Sequence, residues 1–160
     1  MKPAPHALFW LSLLGALVLQ LAQLPASIAA ARPMWIPLTL AYWALTEPRV
    51  PTLLASLLFG LILDVVFDNL LGQNTLGLAL LVFFVARLRT LFGLIPMWQA
   101  MIVLTPLWGL YAVLMFWIDG LSRHDVYNWL RWLPVLSTAL FWPLVHASLD
   151  ALRRRRPSED

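Results

Sequence analysis

The chain has 160 residues, 61% of them hydrophobic and only 12% charged, with a formal net charge of +3. Its mean hydropathy is +0.79. A soluble domain carries about a quarter charged residues and a disordered chain has few apolar ones, so both classes are excluded and an integral membrane protein remains.

A bilayer-spanning helix takes about 20 mostly apolar residues. Six spans therefore use about 120 residues and leave about 40 for loops and tails. The first apolar stretch covers residues 7–24 and is closed by Pro25. Lys2 before it and Ala29-Ala30-Ala31 after it imitate a secretory signal, but the stretch is long and carries Gln20 and Gln23, so it reads as a retained span. The second span covers about 30–46. Its uninterrupted part, from Met34, is only about a dozen residues and would scarcely cross a core of roughly 30 Å. Pro37 is tolerated there if it falls in a first helical turn.

The third span covers 52–70 and contains Asp64 and Asp68. Gly72-Gln73-Asn74 is a turn signal. The fourth covers 75–91, with Arg87 and Arg89 in its last turns, and the fifth covers 97–118. Asp119 to Arg131 is the longest polar loop. The sixth span covers 132–149, and residues 153–160 form a basic tail opened by Arg153-Arg154-Arg155-Arg156. The expected architecture is an all-α integral membrane protein with six transmembrane helices, residues 1–152 forming a single membrane domain. Nine tryptophans suit a protein with two membrane interfaces.

Charge sets the orientation. With six spans both termini share one side, which then holds eight cations: Lys2, Arg49, Arg87, Arg89 and Arg153 to Arg156. The other side holds three: Arg32, Arg123 and Arg131. Cationic loops stay cytoplasmic, so both termini are expected inside. A five-span alternative puts Lys2 opposite the arginine run and breaks the bias. The run itself is expected to fix orientation and touch anionic headgroups rather than nucleic acid.

Cysteine is absent, which removes disulfides and thiolate metal sites, and the three histidines are far apart. No phosphate loop or metal-binding motif is present. The expectation is a chain without metal, cofactor or enzymatic activity. The informative polar residues are Asp64 and Asp68. A carboxylate within an apolar helix costs at least about 2.5 kcal/mol facing lipid, so Asp64 is expected to face other helices, water or a cationic partner. Four residues apart on a helix, the two carboxylates share a face and repel. Gly72 suits a left-handed turn and Gly77 a close helix approach. Arg87 and Arg89 can snorkel to headgroups or pair with a partner. His146 and Asp150 share a face, with Asp150 placed to pair with Arg153 or Arg154. Ser137, Thr138 and Ser148 read as interhelical hydrogen-bonding groups.

Several short motifs follow one another in order. Arg32-Pro33-Met34-Trp35 opens the second span, and Tyr42-Trp43 with Pro48-Arg49-Val50 follows. Gly60-Leu61-Ile62-Leu63-Asp64 lies in the third, and Leu71-Gly72 and Leu76-Gly77 lead into the fourth. Trp98-Gln99 and Trp142-Pro143 come later. With six spans and a basic C-terminus, this order resembles the bacterial rod shape-determining protein MreD family over essentially the whole chain. The resemblance implies a non-enzymatic inner-membrane scaffold of the cell-elongation machinery. It implies as partners an MreC-like bitopic protein, a SEDS glycosyltransferase with a class B transpeptidase, and, indirectly, an MreB-like cytoskeleton. It also implies a fold like the substrate-binding subunits of vitamin transporters. The alternative expectation is accordingly a small-molecule binding subunit with a pocket around Asp64, Asn69 and Asn74. Asp64, Asp68, Gly72, Gly77, Arg87 and Arg89 are the candidate partner-contact or packing residues.

Overall fold

The computed structural model describes residues 6–23, 25–92, 95–121 and 129–154. Six helices of twelve residues or more account for most of them: α1 (His6–Leu21), α2 (Trp35–Thr46), α3 (Thr52–Val66), α4 (Gln73–Phe92), α5 (Met97–Leu121) and α6 (Leu133–Arg154). A single turn of helix, Ala26–Ala29, sits between α1 and α2, and a 3-10 turn, Trp129–Trp132, leads into α6. No strand occurs among the described residues. Among the described residues, three segments are long and apolar enough to cross a membrane: α4, Trp98–Leu121 of α5, and the 3-10 turn joined to α6, Trp129–Arg154. At 1.5 Å per residue, α1 and α3 reach only about 24 and 22 Å and α2 about 18 Å.

The short α2 is the centre of the fold. It packs against α1, α3, α4 and α6, and every residue from Ile36 to Ala44 is buried. Its sequence, WIPLTLAYWALT, has no polar face, and a helix that is apolar all round belongs in an interior. Its shortness therefore costs little, because its ends are met by protein. Met34 N donates to Thr138 Oγ1 of α6 at 2.9 Å, and Trp35 N to Gln20 Oε1 of α1 at 2.9 Å. Pro37 sits in the first turn, where its missing N–H leaves no gap.

Successive helices run antiparallel, so the bundle has two ends. Starts of α1, α3 and α5 share one end with the finishes of α2, α4 and α6. The Arg153–Glu47 ion pair (3.5 Å) ties that end, and the Gln20–Trp35 and Met34–Thr138 bonds tie the other. Among the described residues, the first end holds Arg49, Arg87, Arg89, Arg153 and Arg154, and the opposite end only Arg32 and Arg131.

Packing in a bilayer relies on close contact rather than on exclusion of water. Antiparallel α3 and α4 form the tightest pair. Their facing sides carry Ala55, Ser56, Phe59, Gly60, Leu63 and Asp64 against Gly77, Leu78, Leu81 and Val82. A Cβ on Gly60 would lie 2.7 Å from Thr75 N, so only glycine allows this approach. The outer side of α3, Leu53, Leu54, Leu57, Leu58, Leu61 and Val65, is exposed.

Several boundaries differ from those expected. The helix in the third expected stretch ends at Val66 rather than residue 70, and that in the fifth continues to Leu121, so Asp119 is helical and not in a loop. Gln73 and Asn74 belong to α4 and not to the turn before it. Seven of the nine tryptophans fall into two groups. Trp98, Trp117, Trp129 and Trp132 are exposed near helix ends, whereas Trp43, Trp108 and Trp142 are core. Lys2, Arg123, His124, Arg155 and Arg156 lie outside the described residues.

Candidate functional site

The densest polar cluster starts at Asp64, near the end of α3. Phe67 closes the helix with a bond to Leu63 O, and Asn69 N donates to Asp64 O. Asp68 takes a left-handed conformation (φ 53°) and Gly72 another (φ 98°), which reverses the chain into α4. The first four N–H groups of a helix have no partner within it. Here all are met. Gln73 N bonds to Leu70 O and Leu76 N to Gly72 O. Asn74 N and Thr75 N bond to the Asp64 carboxylate at 2.7 and 3.4 Å, and Gly72 N joins them at 2.9 Å. Asn74 Nδ2 and Thr75 Oγ1 also donate to Asp64, each at 3.0 Å.

A negative charge at a helix N-terminus is favoured by the helix dipole. Asp64 is 1% exposed, so the hydration of its carboxylate is replaced by five donors rather than by a cation. From Asn74 the network continues to α5, where Tyr111 donates to Asn74 Oδ1 at 2.8 Å. Gln73 Nε2 donates to Asp119 Oδ1 at 2.6 Å, and Arg131 pairs with the other oxygen of Asp119. One cluster thus links α3, α4, α5 and the 3-10 turn.

A second cluster occupies the other end. Tyr42 donates to Asp150 Oδ1 at 2.6 Å, and His146 Nδ1 lies 3.6 Å from Asp150 Oδ2. Arg153 reaches Glu47 and lies over the Trp43 ring, 5.7 Å from its centre. Trp43 Nε1 donates to Ser12 of α1.

The candidate residues fall into distinct environments. Asp64 and Asp68 do not share a helix face, because the helix ends between them and Asp68 is exposed in the turn. Gly77 packs where a Cβ would meet the Tyr111 ring at 2.7 Å. Arg87 is exposed and Arg89 half-buried in the last turns of α4. Asp150 contacts Tyr42 and His146, and Arg153 turns to Glu47 instead. Ser137 and Ser148 bond within α6, to Pro134 O and Val145 O, so only Thr138 of the three acts between helices.

The polar set of the small-molecule alternative does not open into a pocket. Asp64 and Asn74 are buried and bonded to each other, and Asn69 is a half-buried turn residue. Sequence reasoning reads Gln73, Asp119 and Arg131 only as loop polarity. The signal they share is a polar residue close to the end of an apolar helix.

No solved structure matches the chain. The rod shape-determining protein MreD of Haemophilus influenzae is 25% identical over 150 residues, covering 91% of this chain and 93% of that protein. The family description "rod shape-determining protein MreD" matches residues 3–151. With a match that runs from before α1 to the last turns of α6, the chain belongs to the MreD family of rod shape-determining proteins.

Proposed function

We propose that this chain is a non-enzymatic scaffold of the bacterial inner membrane that maintains rod shape by positioning the machinery of wall elongation. In this reading it crosses the bilayer six times with both termini in the cytoplasm. The carrying observation is the family match over residues 3–151. The charge distribution supports the orientation: five of the seven described arginines lie at the end that holds the start of α1 and the finish of α6.

The interior supports a scaffold over a carrier. Asp64 and Asn74 are buried and bonded to each other, and the Tyr111 hydroxyl is committed to Asn74. The surface left for recognition is apolar, notably the leucine face of α3. A single-span partner such as an MreC-like protein packs in a bilayer through such faces and small residues. A SEDS glycosyltransferase and a class B transpeptidase would be held in the same assembly. An MreB-like cytoskeleton would be reached indirectly through the cytoplasmic end, where Arg87 and Arg89 are the candidate contacts.

The test combines depletion with crosslinking. Depletion in a rod-shaped cell is expected to produce rounding, and photocrosslinkers at Leu54, Leu58 and Leu61 are expected to capture the bitopic partner. Retained rod shape on depletion refutes the cellular role. Rounding without any crosslink from α3 moves the partner to another face.

A further inference from the structure

A cavity of about 530 Å³ lies beside the Asp64 cluster, between the end of α1, the start of α2, the last turns of α5 and the entry to α6. That volume falls within the range of about 300–1,000 Å³ common for small-ligand sites. Its chemistry is graded along the helix axis. Arg32 and Arg131 lie at the level of the helix ends, with Gln20 and the half-exposed Trp132. Tyr111 and Ala112 are deeper, Tyr111 being eight residues before Asp119, the partner of Arg131, and so about 12 Å along α5. Met115 and Phe116 line the wall between.

Among the described residues, two cations and no carboxylate line the cavity. Arg131 is partly neutralised by Asp119 behind it. Arg32 has no ion pair among the described residues: it donates to the carbonyls of Gln20 (2.7 Å) and Ala22 (2.5 Å), and its buried Nε has no acceptor. A guanidinium offers five N–H donors and favours bidentate phosphate contact. In the deeper wall the Tyr111 hydroxyl is committed to Asn74, and Ala112, Met115 and Phe116 add apolar surface.

We propose that this cavity holds one anionic phospholipid of the surrounding bilayer, its phosphate between Arg32 and Arg131 and one acyl chain running inward past Phe116 and Met115. A soluble anion has no use for the apolar wall, and a zwitterionic lipid brings a cation to a site already positive. The lipid would be a structural component between α1 and α5, not a cargo. The proposal rests on the chain residing in a membrane and is independent of its protein partners.

The test uses the full-length chain in vesicles of equal phosphatidylglycerol and phosphatidylcholine, extracted in mild detergent and weighed intact by native mass spectrometry. The native chain is expected to retain one phosphatidylglycerol, enriched at least about fivefold over phosphatidylcholine, a modest fraction of what one desolvated charged contact can supply. R32Q/R131Q is expected to reduce that enrichment to parity. A112F keeps both cations, narrows the deep part of the cavity where the acyl chain would run and is expected to lose the retained lipid. Equal retention of the two lipids by the native chain overturns the proposal. Undiminished phosphatidylglycerol on A112F also overturns it, and undiminished phosphatidylglycerol on R32Q/R131Q does so by placing the binding away from these two arginines.

Discussion

The carboxylate of Asp64 lies 2.7 Å from the backbone nitrogen of Asn74, so a side chain near the end of one helix caps the start of the next. The same carboxylate also meets Gly72 N and Thr75 N, which makes α3 and α4 one unit rather than two neighbouring rods. Gly60, one turn before Asp64, provides the close approach that lets the carboxylate reach.

Replacing Asp64 tests this directly. An asparagine keeps one acceptor oxygen but turns an NH2 group toward donors, and hydrogen bonds to charged groups are worth about 1.5–3 kcal/mol. D64N is therefore expected to destabilise by about 2 kcal/mol. D64A, which leaves several buried N–H groups without partners, is expected to lose about twice as much. Reversible unfolding in mixed micelles measures both. Equal stability of the native chain and D64A would refute the cap.

Glycines separate backbone contact from open space. G60A places a methyl group against the Thr75 backbone, which cannot rotate away, and overpacking of this kind costs about 1–3 kcal/mol. A methyl group on Gly15 in α1 would meet nothing within 4 Å, so G15A is expected to be neutral or to stabilise by up to about 1 kcal/mol. G77A should fall between them, because the end of the Met115 side chain can move while the Tyr111 ring cannot. Thermal midpoints of the three variants give the order, and a destabilised G15A would contradict it.

How much of this is legible in the residues depends on how local each signal is. Helical apolar runs and their order are local, and six helices of twelve residues or more follow one another in the expected order. Asp64 is legible as a residue needing company, because a lone carboxylate in an apolar helix has few alternatives. Its partners are not, since a cap for residues eight to eleven positions away depends on the turn geometry set by Asp68 and Gly72. The central place of α2 is hidden for a different reason. Its all-apolar sequence suits lipid and protein equally well, and only the polar bonds at its start, to Gln20 and Thr138, reveal the surrounding helices.

Those bonds make a second pair of variants informative. T138V removes the acceptor for Met34 N while keeping shape, and an unsatisfied buried N–H costs about 1–3 kcal/mol. T138S retains the hydroxyl and is expected to keep most of the stability. Loss in T138V with recovery in T138S, read by unfolding, separates the hydrogen bond from the methyl packing. Equal losses would assign the effect to packing alone.

At the opposite end, two polar contacts of unequal worth lie side by side. Tyr42 is fully buried and its hydroxyl donates to the Asp150 carboxylate, so Y42F is expected to cost about 1.5–3 kcal/mol. Glu47 and Arg153 are 15% and 30% exposed in their side chains and 3.5 Å apart. An ion pair with that much access to solvent contributes about 0–1 kcal/mol, and salt screens it. Raising the salt concentration should weaken the effect of E47Q and leave that of Y42F unchanged. A salt-dependent Y42F would show that the Tyr42–Asp150 bond is more exposed than its burial implies.

The absence of cysteine allows the proposed topology to be read without background labelling. Leu71 is 74% exposed in the turn between α3 and α4, and Ala151 is exposed on the last turn of α6, at opposite ends of the bundle. With six spans and cytoplasmic termini, L71C is expected to react with a membrane-impermeant maleimide in intact spheroplasts. A151C is expected to react only after the membrane is opened. The arginine asymmetry predicts the same result, because the Ala151 end carries Arg87, Arg89, Arg153 and Arg154. Labelling of both positions from one side would require an even number of crossings between them. The antiparallel helices α4, α5 and α6 supply an odd one, so that outcome would overturn the membrane placement of the bundle itself.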